Sequence, residues 1–191
     1  MTHADPALVL RPGASEEEHT RETSATDDRA DIDLDGSAPR RVGAVVLVLD
    51  PRGRVLLVRP TYGTRAWQLP GGGVHKGEPA TAGAARELEE ETGLDRQIRY
   101  ALAIDQMPGN SNSAEGYNIV CDGGVLSEEE AAAVVVPESA RDEISECAWV
   151  PLSALDEKCD PYQARRIRQA LTARSHGARI PILLQGRLAA V

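Results

Sequence analysis

The stretch from Trp67 to Leu94 constrains this chain more than any other. A short strand is predicted over Trp67-Gln68-Leu69, stopped by Pro70 and by Gly71, Gly72 and Gly73, where backbone can approach a ligand closely because no side chain intervenes. Helix signals follow. Pro79 suits the first helical position and Gly93 the left-handed residue that closes a helix, so a helix is predicted from about Pro79 to Thr92. Ala84, Ala85 and Leu88 give it an apolar face to rest on a sheet. Glu87, Glu90 and Glu91 stand at i, i+3 and i+4 and share another face. Carboxylates this close repel one another, and the helix dipole disfavours anions toward its C-terminal end. Arg86 can reach Glu90 at i+4, but one guanidinium does not neutralise three carboxylates. A hard divalent cation would, and oxygen-rich clusters suit Mg²⁺ or Mn²⁺, which take further oxygens from substrate phosphates. Three glutamates taken alone have a plainer reading, a solvated acidic helix face.

The flanks set the architecture. Val42–Leu49 is a β-branched run typical of a buried strand, and Asp50-Pro51-Arg52-Gly53 is a turn. Arg54–Arg59 returns as a second strand, so residues 42–59 read as a hairpin. Further strands are predicted near Arg99–Gln106, Tyr117–Cys121 and Glu146–Val150. Pro161–Ser175 reads as a second long helix, with Ile167, Ala170, Leu171 and Arg174 at helical spacing. Strands and helices mix without strict alternation, which points to an α+β or three-layer α/β/α domain.

Composition narrows the function classes. Of 191 residues 41% are hydrophobic, enough for a core, and the net charge of −9 disfavours wholesale binding to a nucleic acid backbone. No run approaches the roughly 18 apolar residues of a membrane span, and Leu8-Val9-Leu10 is too short for a secretory leader, so a cytoplasmic protein is expected. Cys121, Cys147 and Cys159 are odd in number and widely spaced, which argues against a disulfide framework or a zinc knuckle. The first forty residues hold ten Asp or Glu against four Arg, with few apolar groups. Such a segment cannot bury enough apolar surface to offset its ordering entropy, so 1–38 is expected to be a disordered acidic tail and 39–191 the folded domain.

The glycine-helix stretch has a pattern: Gly72, five residues, Glu78, seven residues, Arg86-Glu87-Leu88, one residue, Glu90-Glu91, one residue, Gly93-Leu94. It resembles the signature box of the Nudix hydrolases without a departure. Trp67-Gln68-Leu69-Pro70-Gly71-Gly72 is similar to that family's usual entry to the box, and the looser resemblance extends from about Arg41 to Leu184. The resemblance implies an α/β/α sandwich with a mixed central sheet. It also implies metal-dependent hydrolysis of a nucleoside diphosphate linked to another group. On it, Glu87, Glu90 and Glu91 match the metal-binding glutamates and Gly71 a position whose backbone carbonyl is often a further ligand. Arg86 matches the arginine that orients those carboxylates, and Glu78 a supporting glutamate behind them.

Pyrophosphate carries dense negative charge that repels water; metals neutralise it, and a nearby carboxylate takes the proton. Glu87 is the first choice for that base. The rival is a glutamate on a later loop, among Glu128, Glu129, Glu130, Glu138 and Glu143. For substrate reading, Arg59 and Arg65 could pair with phosphates and Tyr62 could stack on a base. Trp67 reads as core. His75 sits in the glycine loop as a phosphate contact or a solvated side chain, and Asn110, Asn112 and Asn118 fall where a base could be selected. The expected substrate is a small nucleoside triphosphate or nucleoside diphosphate derivative, with no nucleic acid or membrane partner; the oligomeric state stays open, a homodimer included. Two alternatives stand beside this: a hydrolase for a non-nucleotide diphosphate such as an isoprenoid diphosphate, and a family-derived binding or regulatory module without turnover.

Overall fold

The strand Arg41–Leu49 (β1) organises the molecule, because from Gly43 onward it is buried on both faces. In this computed structural model, which describes residues 40–109 and 114–188, its side chains alternate between two layers. Ala44, Val46 and Val48 pack with Ala84 and Leu88 of the helix Ala80–Thr92 (α1). Val45, Leu47 and Leu49 pack on the opposite side with Ala164, Ile167 and Ala170 of a later helix, Pro161–Ser175. A period-2 strand with apolar residues at both parities must be covered twice, and here it is. The segment 1–38 and the residues Asn110 and Asn112 lie outside the described residues.

The remaining strands are β2 (Val55–Pro60), β3 (Gly71–Gly73), β4 (Tyr100–Met107), β5 (Gly116–Val125), β6 (Ile144–Val150) and β7 (Ile180–Pro181). A small hairpin, β8 (Leu183–Leu184) and β9 (Arg187–Leu188), stands apart from the main sheet. The other helices are α2 (Glu128–Ala133), α3 (Leu155–Lys158) and the long one, α4. The sheet order is β6-β2-β1-β5-β4-β7, with β3 also on β1. β1 and β5 run parallel and the other pairs antiparallel, so the sheet is mixed and the domain is an α/β/α sandwich. Among the described residues no helix is long and apolar enough to cross a membrane.

The predicted 42–59 hairpin forms only at its turn. β1 and β2 pair at Leu49↔Val55, after which β2 turns away and pairs with β6 from Val150 to Ile144. The edge of β1 that β2 leaves is taken by the glycines, with Gly43↔Gly73, Ala44↔Gly72 and Val45↔Gly71. Trp67-Gln68-Leu69 is correspondingly not a strand. Gln68 makes an isolated bridge with Val58, and the Pro70 carbonyl accepts from the Val46 N–H at 2.8 Å, so this segment fills the opening between the diverging strands. Only glycine fits there. Gly71 has φ of +134°, and a Cβ on it would lie 2.2 Å from the Ala44 carbonyl oxygen.

α1 begins one residue later than predicted, with Pro79 as the extended residue before it, and closes on Gly93 at φ of +72° with its N–H on the Glu89 carbonyl. β5 runs on past Cys121 through an irregularity at Gly123. α2 was missed, although Ser127 and Glu130 form a reciprocal capping box at its start.

Candidate active site

Burial of Ala84 and Leu88 against the sheet sets the rotation of α1, and that rotation carries Glu87, Glu90 and Glu91 toward the glycine strand. Glu91 lies deepest, 8% exposed, with Oε2 accepting from the Gly71 N–H at 2.7 Å. Gly72 lies directly against Glu87: a Cβ there would sit 2.6 to 2.8 Å from the atoms of its carboxylate. The glycines thus let bare backbone meet the acidic helix face.

Arg86 ties the site together. Its Nε donates to Glu78 Oε1 at 2.9 Å and Nη2 to Glu78 Oε2 at 3.1 Å. Its Nη1 donates to Glu87 Oε1 at 2.9 Å and Glu90 Oε2 at 3.1 Å, and Nη2 also reaches the Gly73 carbonyl at 3.1 Å. Glu78 in turn accepts from the His75 N–H at 2.8 Å. These bonds, the Arg86 pair foremost, hold the Glu78 carboxyl down at about 2. The Arg86 guanidinium is pushed up by the same partners.

Glu91 behaves oppositely. Burial raises its carboxyl to about 8; the Gly71 N–H opposes the rise, and the charges of Glu87, Glu143 and Glu90 add to it. The acidic face therefore has more negative charge than Arg86 offsets, and the chemistry of the donor set, hard oxygens with excess charge beside bare backbone, fits a hard divalent cation. In the present arrangement, among the described residues, no three His, Cys, Asp or Glu side chains are gathered closely enough to hold a metal ion. Arg86 draws Glu87 and Glu90 to itself while Glu91 turns to Gly71. Gathering the three is a matter of side-chain torsions, since all already share one helix face.

Of the five later glutamates, Glu143 is one whose charge acts on both Glu91 and Tyr62. Its loop is tied to the segment after β2: the Thr61 N–H donates to the Glu143 carbonyl at 2.8 Å and Thr61 Oγ1 to the Asp142 carbonyl at 2.6 Å. Glu130 is engaged elsewhere, in the α2 capping box and on Arg96 at 2.8 Å. Glu128 and Glu129 lie in the first turn of α2, and Glu138 opens a single 3₁₀ turn.

A cleft of about 490 Å³ opens beside Gly71–Gly73. Tyr62 lines it, largely exposed, its hydroxyl pushed up by partial burial and by the charges of Glu91, Glu143 and Glu87. Arg59 and Arg65, expected beside it, do not line this cleft. Arg59 Nε donates to the Arg65 carbonyl at 3.3 Å and Nη1 faces Glu146 at 3.9 Å, while Arg65 Nε donates to the Thr61 carbonyl at 3.1 Å, so both brace the loop after β2. His75 is exposed and reaches the site through its backbone; Trp67 is buried in the core with the Lys158 ammonium 5.2 Å from its ring centre.

Asn118 does line the cleft, accepting at Oδ1 from Arg41 Nη1 at 3.2 Å. Arg41, Gln163 and Arg166 line it too and were missed. Arg166 is buried, with Nε on Asp105 Oδ2 at 2.6 Å, Nη1 on Gln163 Oε1 at 3.1 Å, and its guanidinium 5.4 Å from the Tyr162 ring centre. The signal was there: Gln163 and Arg166 are polar residues in the stripe that α4 buries.

Comparison with known proteins agrees with this construction. The family model for the NUDIX domain matches residues 39–171, and the chain belongs to the Nudix family. It is 43% identical over 75 residues to an RNA pyrophosphohydrolase of Teredinibacter turnerae, covering 39% of this chain and 42% of that protein. It is 42% identical over 78 residues to an ADP-ribose pyrophosphatase of Mycobacterium tuberculosis, covering 38% of each. The chain thus spans about two fifths of the length of these curated relatives. The NUDIX domain of Shewanella oneidensis NrtR, solved in complex with ADP ribose, shares the fold with a TM-score of 0.59 at 19% identity, over 75% of this chain and 94% of that one.

Proposed function

We propose that this chain is a Mg²⁺- or Mn²⁺-dependent pyrophosphohydrolase that cleaves a phosphoanhydride bond in a nucleoside triphosphate or a nucleoside diphosphate derivative. Glu91 supports this most directly: a carboxylate buried among like charges, facing backbone that carries no side chain, has the features of a cation site next to a place for a polyanion. Glu87, Glu90 and Glu91, with the Gly71 carbonyl, would hold the metal. When bound, it neutralises pyrophosphate oxygens and polarises phosphorus for attack by water.

The chain's own residues do the rest. Arg86 orients Glu87 and Glu90 through one nitrogen, and Glu78 holds that guanidinium by a two-point grip. Glu87 is the base that takes the proton from the attacking water, with Glu143 as the rival brought near by the Thr61 ties. Tyr62 offers a stacking face, and the Arg41–Asn118 pair offers polar edges to a base. A cytoplasmic setting is supported by three free thiols.

The test is a phosphate-release screen with Mg²⁺ or Mn²⁺ over normal and oxidised nucleoside triphosphates, ADP-ribose, dinucleoside polyphosphates, NADH, isoprenoid diphosphates and 5′-triphosphorylated RNA. Turnover of a free nucleotide supports the proposal. Turnover confined to isoprenoid diphosphates or to RNA moves the substrate class. Silence across the panel leaves a binding or regulatory module.

A further inference from the structure

A second concentration of guanidinium groups lies away from the acidic cleft, in a chain whose net charge is −9. Arg96, Arg99 and Arg179 surround a pocket of about 420 Å³ whose floor is Asp122-Gly123-Gly124, near the end of β5. The cleft meets β5 at Asn118, opposite Gly43; the pocket meets it where Gly124 pairs with Val48. At the rise of a strand the two are roughly 17 Å apart along the sheet.

The pocket is built by a β-bulge. β5 keeps register with β1 to Leu47↔Asp122 and resumes at Val48↔Gly124, leaving Gly123 as the extra residue. A bulge re-aims the side chain beside it. Asp122, its side chain 7% exposed, accepts from Arg174 Nε at 3.2 Å and faces Arg179 Nε at 3.7 Å. The Arg179 guanidinium also lies 5.7 Å from the Tyr100 ring centre. Arg96 is paired with Glu130 at 2.8 Å, and its Nη2 comes within 3.3 Å of the place a Cβ on Gly124 would occupy. Arg99 donates to the Gln97 side-chain carbonyl and has no carboxylate partner among the described residues. Arg174 binds Asp122 without lining the pocket; with it counted, four guanidinia face Asp122, Glu130 and Asp95, a surplus of one positive charge.

We propose that this pocket is a second binding site, separate from the acidic cleft, for a small phosphorylated anion. Guanidinium forks match phosphate oxygens in pairs. The two arginines with donors to spare, Arg99 and Arg179, lie just before β4 and β7, and because those strands pair antiparallel they enter the pocket from opposite ends of the short ladder. The concavity holds a phosphate with part of a nucleoside, and the overall charge of the chain opposes a polyanion. Inorganic phosphate and the phosphate end of a nucleotide share the required chemistry.

The experiment is calorimetric titration of the full chain with inorganic phosphate and with AMP, in EDTA at constant ionic strength, for wild type, Arg99→Gln, Arg179→Gln and Glu91→Gln. Both arginines are exposed, so the variants fold. Each arginine variant is expected to weaken phosphate binding at least about tenfold, the loss of one charge-assisted bond, while Glu91→Gln binds as wild type does. AMP binding more tightly than phosphate identifies a nucleotide as the natural source; equal affinity identifies the phosphate group alone. The proposal fails if wild type binds neither probe at millimolar concentration. It fails if the arginine variants bind unchanged, and equally if a short oligonucleotide displaces AMP at lower concentration than phosphate does.

Discussion

Glu91 makes metal-free stability depend on pH in an unusual direction. Its carboxyl is raised from 4.5 to about 8 in the folded chain, by burial first and then by Glu87, Glu143 and Glu90. Between those two pH values the folded state holds a proton that the unfolded chain has released. Stability is therefore highest below the unfolded pKa and falls by about 1.4 kcal/mol per pH unit as pH rises through the window. The ceiling on the total is about 5 kcal/mol, and relaxation of the carboxylates toward water is expected to leave about 2 to 3 kcal/mol. Glu91→Gln keeps an acceptor for the Gly71 N–H and removes the titration. In EDTA, urea unfolding at steps from pH 5 to pH 9 should show wild type losing stability across the window and the variant staying level, with the variant more stable at pH 8. Mg²⁺ should reverse the order by restoring wild type alone, with release of a proton near neutral pH. A wild-type profile that is flat from pH 5 to pH 8, or a variant that tracks it, would refute the account of Glu91 as an uncompensated buried charge.

Arg86→Lys should lose about 10²-fold in kcat with a smaller change in Mg²⁺ affinity, because an ammonium cannot make the five bonds that Arg86 makes to Glu78, Glu87, Glu90 and Gly73; Arg86→Ala should lose both, and a Mg²⁺ titration of turnover separates them. Glu87→Gln should cost at least about 10²-fold in kcat and Glu143→Gln about tenfold or less; the reverse order in a pH–rate profile assigns the base to Glu143. Gly71→Ala should lower stability by about 2 to 4 kcal/mol, since its Cβ meets the Ala44 carbonyl oxygen at 2.2 Å at a φ of +134°; an unchanged thermal midpoint would mean that β3 can leave β1 at little cost.

What the sequence made legible was local. Helix α1, its closing Gly93 and the shared face of three glutamates follow from spacings within one element, and each is where the spacing puts it. The β2–β6 pairing joins residues almost a hundred positions apart, with no local trace to show that β2 turns away from β1. The same non-locality hid most of the cleft wall. Arg59 and Arg65 are close to the box in sequence, yet Arg59 pairs with the β6 side of the sheet, while Arg41, Asn118 and Arg166 arrive at the cleft from three separate elements. Arg166 and Gln163 show themselves as polar residues in the stripe that α4 buries, but their tie to the cleft waits on Asp105, which only the fold brings to Arg166.

Strand β3 contributes no side chain to the cleft, and this divides the labour of the site. On the proposed function, the machinery for breaking the anhydride belongs to the glycine strand and α1, and at Gly71 and Gly72 even a Cβ would collide with Ala44, Val45 or Glu87. On the same reading, choice of substrate falls to the side chains that line the rest of the cleft, Tyr62, Arg41, Asn118 and those of α4. What such a chain recognises and how it attacks would then rest on different residues, the first on side chains and the second on bare backbone and one helix face.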